Sequence, residues 1–147
     1  MEIIVHPIGI IHSPFTEKGQ VPIQASRSQV IGLVELFPEF ADGLQDIEGF
    51  SHIFLLYNFH CSSGFSLHVK PFLDDHEHGL FTTRHPCRPN PIGLSIVQLI
   101  FRQENYLTVE GVDALDGTPL LDIKPYVPEF DAYIDARIGW FATRSKR

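Results

Sequence analysis

The sequence predicts a mainly β protein: a small closed or nearly closed β-barrel with one short helix. Short segments rich in Ile, Val, Leu and Phe recur along the 147 residues, and turn-forming residues lie between them. A single segment shows the residue spacing of an amphipathic helix. Because about seven short strands in a flat sheet would leave exposed edges, closure into a barrel is the favoured arrangement.

Seven segments have the composition of β-strands. The run at 50–59 is almost continuously apolar, which predicts a strand buried on both faces. The segments at 94–101 and 106–112 are separated by a polar turn at 102–105. In chain order the predicted strand segments are 2–12, 28–37 (with a short strand around 31–36), 50–59, 66–72, 94–101, 106–112 and 120–123.

Residues 38–47 are predicted to form the helix. Phe40, Leu44 and Ile47 lie at helical spacing, and Pro38 suits the first helical position. We predict a single domain over residues 1–147, with a core of about 8–126 and a C-terminal tail of 127–147. The apolar residues of that tail could cover the barrel or meet a second subunit.

The bulk composition limits where the protein works. Apolar residues make up 44% of the chain, yet no apolar run approaches the roughly 20 residues that a membrane helix needs. The N-terminal residues lack the pattern of a secretory signal. Cys61 and Cys87 show neither a CxxC motif nor a disulfide framework. We therefore expect a cytoplasmic protein with free thiols and no membrane partner.

The net charge of −7 constrains any role in nucleic-acid binding. Affinity for phosphates comes from Lys and Arg, of which the chain has 11, so these residues would have to gather on one face. They do cluster in the sequence. Arg84 and Arg88 lie on one loop, and Arg144, Lys146 and Arg147 lie together in the tail.

The loop at 82–95 (TTRHPCRPNPIGLS) is predicted to be stiff. Three prolines and one glycine occur within eight residues, and each proline fixes its own φ and favours extended geometry before it. The loop also carries Arg84, Arg88 and Asn90. Arginine suits carboxylate or phosphate, and asparagine could read a base edge. The loop therefore predicts a binding wall, although its arginines could also be ordinary surface residues.

Two further candidates lie at the ends of predicted strands. Asp113 follows the strand at 106–112 and could meet a cation or a ribose hydroxyl, because strand ends and their loops commonly carry sites. His60 ends the apolar run and could contact a ligand at the barrel mouth. Asp116-Gly117 is a turn signal, and its expected role is structural.

The sequence His76-Glu77-His78 resembles a fragment of a metal site. Zinc sites commonly combine such ligands, but no HExxH or paired-cysteine spacing accompanies them here. We expect no metal; a metal-dependent enzyme stays an alternative.

Three blocks together resemble the TsaA-like (TrmO) family: 8–15 (IGIIHSPF), 82–95, and 113–126 (DALDGTPLLDIKPY). The resemblance runs from about residue 8 to 126. It implies a small β-barrel that binds S-adenosyl-L-methionine, unlike the more common Rossmann-like methyltransferases, and this chain indeed lacks GxGxxG. Similar members methylate the threonylcarbamoyl-modified adenosine next to the anticodon of transfer RNA and act as homodimers.

The resemblance also implies roles for individual residues. Arg88 and Asn90 are assigned to the nucleotide substrate. Because a ureido-type nitrogen must lose a proton before it attacks, a general base is needed, and His60 and Asp113 are both candidates. The net charge motivates an alternative, a barrel that binds the cofactor without acting on transfer RNA or that methylates a small molecule. The implied cofactor-binding residues are Gln24, His60, Cys61, Arg84, Leu94 and Asp113.

Overall fold

The computed structural model describes residues 1–22 and 28–143, and its main feature is a closed antiparallel barrel of six strands. The strands are β1 Gly9–His12, β2 Ile31–Leu36, β3 His52–Asn58, β4 His68–Val69, β5 His78–Gly79, β6 Ile92–Gln103, β7 Tyr106–Glu110 and β8 Thr118–Pro125. Around the barrel the strand order is β1-β2-β7-β6-β3-β8, and β8 pairs with β1 to close it. This confirms the predicted fold class.

The chain divides into two compact units. The barrel unit comprises Met1–His60 and Ile92–Tyr126, and the second unit comprises Cys61–Pro91 and Val127–Arg147. In the second unit, β4 and β5 form a separate two-stranded sheet. The single domain over 1–147 stays a prediction.

The barrel core follows from strict alternation along the strands. Inward residues such as Val34, Ile53, Leu107 and Leu120 are fully buried. The prediction that both faces of 50–59 are buried is wrong. In β3, Phe54 is only partly buried, like its outward neighbour Leu56, because a closed barrel has one interior and its strands turn the other face outward.

Several predicted boundaries also differ from the structure. Residues 2–7 lie outside β1, and Ile3 and Ile4 are more than 70% exposed. The predicted strand at 66–72 is reduced to β4, which pairs with the unpredicted β5. In both places the predicted strand is too long, because an apolar segment forms a strand only where a partner strand supplies the hydrogen bonds.

The predicted helix at 38–47 is present as two 3₁₀ helices, Pro38–Leu44 and Ile47–Gly49. Asp46 has φ 73°, a left-handed conformation that interrupts a continuous helix. Leu44 and Ile47 are buried, as the spacing predicts. Further short helices include α1, Pro128–Asp131.

Two of the sequence blocks are structural partners in the barrel unit. The Ser13 hydroxyl donates to the Ala114 carbonyl at 2.6 Å, and the Ser13 N–H donates to the Asp116 carboxylate at 3.0 Å. In return, the Asp116 N–H donates to the Phe15 carbonyl at 2.7 Å. The block 8–15 and the DGTP turn therefore hold each other, which agrees with the structural role expected of Asp116.

A close approach between β3 and β6 requires a glycine at residue 93. Gly93 pairs with Tyr57, whose ring crosses over it and meets Phe59 edge to face at a centroid distance of 5.6 Å. A Cβ at residue 93 would lie 2.6 Å from Cζ of Tyr57 and 2.8 Å from Cζ of Phe59. No larger residue fits without moving these two rings.

We expect Gly93→Ala to lower the free energy of unfolding by about 1–3 kcal/mol, the usual cost of overpacking a core. Urea denaturation followed by circular dichroism measures the change. Gly43→Ala is the matched control, because a Cβ there meets no atom of the described residues within 4 Å. Equal stability of the two variants would contradict the packing argument.

Candidate functional site

A chain of hydrogen bonds inside the barrel unit ends at Asp113. The Tyr57 hydroxyl lies 2.7 Å from Ser95 Oγ, which in turn donates to Asp113 Oδ1 at 2.5 Å. Since the single proton of Ser95 goes to the carboxylate, Tyr57 is the donor in the first bond. Tyr57 and Ser95 are each 4% exposed. The partly buried Asp113 carboxylate therefore accepts a hydrogen bond from Ser95, which itself accepts one from Tyr57, and both of these residues are almost inaccessible to water.

The local sequence explains this arrangement. Gly93, Ser95 and Val97 alternate inward along β6, and the absence of a side chain at Gly93 lets the Tyr57 ring reach across to Ser95. Directly after β7, Gly111 has φ 100° and donates its N–H to the Val30 carbonyl at 2.9 Å. This left-handed residue ends β7 and turns the chain, so that Asp113 follows at the strand end where the sequence predicts it.

Two other predicted residues of the barrel unit, Leu94 and His60, are exposed. Leu94 is 49% exposed on the outer face of β6, opposite Leu56, and directly precedes Ser95 in the chain. His60 follows the end of β3 and donates its N–H to the Asn58 carbonyl at 2.9 Å. The structure thus brings Asp113 to Ser95, the residue after Leu94.

In the second unit the stiff loop is braced by one of its own arginines. Arg88 Nη1 donates to the carbonyls of Thr83 and His85 at 2.9 and 3.0 Å, and its guanidinium lies 5.9 Å from the centroid of the Phe81 ring. Arg88 is half-buried and therefore has a structural role in addition to the substrate role predicted for it. Asn90 is exposed, as are the predicted cofactor residues Cys61 and Arg84.

Some predicted residues lie outside the described part of the chain. Gln24 falls in the gap between residues 22 and 28. The basic residues Arg144, Lys146 and Arg147 follow the last described residue. Their predicted roles stay predictions.

The described residues contain no group of three or more His, Cys, Asp or Glu side chains placed to hold a metal ion. In the motif His76-Glu77-His78, both histidines contact Asp74 instead. The distance to a carboxylate oxygen is 3.5 Å from His76 Nδ1 and 2.5 Å from His78 Nε2. Within residues 1–22 and 28–143, every helix is too short or too polar to cross a membrane.

Sequence reasoning missed Tyr57 and Ser95. A signal for Ser95 was available, because the alternation of 93–99 places this hydroxyl inward, and a buried polar group needs a hydrogen-bond partner. Tyr57 gave no such signal. It lies within an apolar run, and only the pairing of β3 with β6 shows that its hydroxyl reaches Ser95.

Comparisons with known proteins agree with this barrel. A probable S-adenosyl-L-methionine-binding protein from Pyrococcus abyssi is 59% identical over 139 residues, which cover 94% of this chain and 76% of the relative. The crystal structure of TrmO from Pseudomonas aeruginosa superposes with a TM-score of 0.80 at 42% identity, covering 95% of this chain and 62% of that one.

A more distant relative is the human tRNA (adenine(37)-N6)-methyltransferase, which is 34% identical over 88% of this chain and 31% of its own length. This chain therefore spans less than two thirds of the solved TrmO chain and about a third of the human enzyme. The model of the tRNA-methyltransferase O N-terminal domain matches residues 10–132. That match includes every strand of the barrel except the first residue of β1, and the chain belongs to the TrmO family.

Proposed function

We propose that this protein is a methyltransferase that uses S-adenosyl-L-methionine to methylate the threonylcarbamoyl-modified adenosine next to the anticodon of transfer RNA. The observation that carries the proposal is the Asp113 carboxylate held by Ser95 at 2.5 Å in a barrel of the TrmO family. The names of the relatives support it: one is called S-adenosyl-L-methionine-binding and another a tRNA (adenine(37)-N6)-methyltransferase.

The residues of the barrel fit such a cofactor. A carboxylate fixed by a buried donor suits the ribose hydroxyls or the ammonium group of S-adenosyl-L-methionine, both of which are hydrogen-bond donors. Leu94, which directly precedes Ser95 in the sequence and is 49% exposed, offers an apolar surface for the adenine, and its main chain could read the adenine edge. His60, Gln24, Cys61 and Arg84 complete the proposed set of cofactor residues. The cofactor supplies a methyl group on a sulfonium centre.

The main catalytic task of the protein is positioning. Methyl transfer is an in-line displacement, and correct alignment of two reactants can contribute about 7–11 kcal/mol of barrier reduction. Asp113 serves this task best if it cannot rotate, and the hydrogen bonds from Tyr57 through Ser95 restrict it. The acceptor nitrogen must also lose a proton, for which His60 and Asp113 are the proposed bases, while Arg88 and Asn90 are proposed to contact the nucleotide.

The proposed substrate places the protein in the cytoplasm. The two described cysteines, Cys61 and Cys87, are free thiols, which suits a reducing compartment. Cell fractionation with an antibody against the protein tests this location.

The protein is also proposed to act as a homodimer. The outer face of β6 carries Ile92, Leu94 and Ile96, each between 40 and 49% exposed, and an exposed apolar stripe of this kind commonly marks a protein interface. We expect light scattering to give the mass of a dimer and Ile96→Glu to shift it toward the monomer. Ile31→Glu is the matched control, because Ile31 is 52% exposed on β2. A wild-type monomer at micromolar concentration would rule the dimer out.

The activity is tested by incubating purified protein with S-adenosyl-L-methionine and transfer RNA that carries the threonylcarbamoyl group. We expect a methylated nucleoside by mass spectrometry and none with transfer RNA that lacks the modification. Binding of transfer RNA should weaken as salt rises, since phosphate contacts release counterions. Cofactor binding without product and without a salt slope would instead favour the alternative, a cofactor-binding barrel that does not act on transfer RNA.

The role of Asp113 is tested by calorimetry with S-adenosyl-L-methionine. Hydrogen bonds to a charged group contribute about 1.5–3 kcal/mol, so Asp113→Asn should weaken binding about 10- to 100-fold. Tyr57→Phe removes the hydroxyl that donates to Ser95 and leaves the hydrogen bond from Ser95 to Asp113 in place, so it should weaken binding about 3- to 10-fold. Asp116→Asn is the control from the same block and should bind normally, because its oxygen can still accept from Ser13. Normal binding by Asp113→Asn would remove Asp113 from the site.

A further inference from the structure

One aromatic residue attaches the C-terminal segment of the second unit to the loop region of the same unit. Along this segment Phe130, Tyr133 and Ile134 are 73–97% exposed, whereas Trp140 is half-buried. The Trp140 indole Nε1–H donates to the Thr82 carbonyl at 2.9 Å. Trp140 lies beyond the residues that the family model matches, so the family match says nothing about its role.

The Trp140 ring is itself held in place. It stacks on His78 with a centroid distance of 4.4 Å and an interplanar angle of 13°, and Phe141 stacks on it at 4.0 Å. His78 Nε2–H donates to Asp74, which is 8% exposed. That hydrogen bond is the largest cause that lowers the pKa of Asp74 to about 2, against the opposing effect of burial. The carboxylate stays ionised near neutral pH and fixes the imidazole under the indole.

Thr82, whose carbonyl accepts from Trp140, lies two positions before Arg84. The next residue, Thr83, is 7% exposed; its hydroxyl donates to the Leu80 carbonyl at 2.8 Å, and its carbonyl accepts from Arg88 at 2.9 Å. On the far side of Arg84, the carbonyl of His85 accepts from Arg88 as well. The main chain around Arg84 is therefore braced by Arg88 from within the loop and by Trp140 from the C-terminal segment.

We propose that Trp140 is a positioning residue that holds the main chain at Thr82 and thereby sets where the Arg84 guanidinium can meet the methyl donor. The inference rests on the proposed function for the role of Arg84 as a cofactor residue. The inference gives one residue of the tail at 127–147 a specific role. The sequence alone predicted only that the apolar residues of this tail cover the barrel or meet a second subunit.

The test uses Trp140→Phe, which keeps an aromatic ring on His78 but removes the N–H that reaches Thr82. Losing one hydrogen bond should raise the dissociation constant for S-adenosyl-L-methionine about 3- to 10-fold, while kcat at saturating cofactor stays unchanged. Trypsin should also cut the Arg84–His85 bond faster, because the loop opens locally more often. The Arg88–Pro89 bond resists trypsin, so this cleavage reports on Arg84.

Tyr133→Phe is the matched control, since it removes a hydroxyl from a 79% exposed side chain of the same segment and should change neither quantity. Asp74→Asn, which loosens His78 from the opposite side, should shift both quantities in the same direction as Trp140→Phe. A Trp140→Phe protein with normal affinity and normal cleavage overturns the proposal, and faster cleavage with normal affinity overturns the part that concerns the methyl donor. If the wild-type protein binds no S-adenosyl-L-methionine, the proposed function fails, and the cleavage rate alone decides whether Trp140 holds the loop.

Discussion

The pairing of β3 with β6 is the constraint on which the candidate site of the barrel unit depends. This register sets Tyr57 opposite Gly93 and Leu55 opposite Ser95, so the Tyr57 ring lies over a residue with no side chain and its hydroxyl reaches the next inward position. A shift of β3 by one residue would turn Tyr57 outward while Ser95 still faces inward, so the hydrogen bond between them would be lost. The geometry of the carboxylate thus follows from main-chain hydrogen bonds made at some distance from it.

The fold class was predictable because its signals are local. Alternating apolar residues and turn signals lie within each segment, and they correctly indicated the barrel strands and the turn between β6 and β7. The errors arose where the structure of a segment depends on its contacts with distant parts of the chain. The apolar composition of 66–72 could not show that only His68 and Val69 find a partner strand, nor could the run 50–59 show which of its faces the barrel encloses.

The candidate site divides in the same way. Asp113 was predictable from its place at a strand end, whereas Tyr57 and Arg88 acquire their roles through hydrogen bonds that composition does not reveal. Arg88 is the clearer case, because its sequence context indicates an anion-binding residue, yet Nη1 donates to two carbonyls of its own loop. A guanidinium has five N–H donors, so bracing the loop and contacting a nucleotide do not exclude each other.

The block 113–119 shows how one motif can carry two unrelated constraints. Its two carboxylates lie three residues apart, and each has a different partner: Asp113 accepts from Ser95 inside the barrel, while Asp116 accepts from the Ser13 main chain and joins the turn to the end of β1. The turn requires Gly117, whose φ is 81° and whose N–H donates to the Ile11 carbonyl at 2.9 Å. Because β1 pairs with β8 to close the barrel, Asp116 stabilises that closure, whereas Asp113 is bound by Ser95 of β6. The specificity of the motif therefore comes in part from the fold, and a motif match alone does not distinguish a carboxylate available to a ligand from one that stabilises a turn.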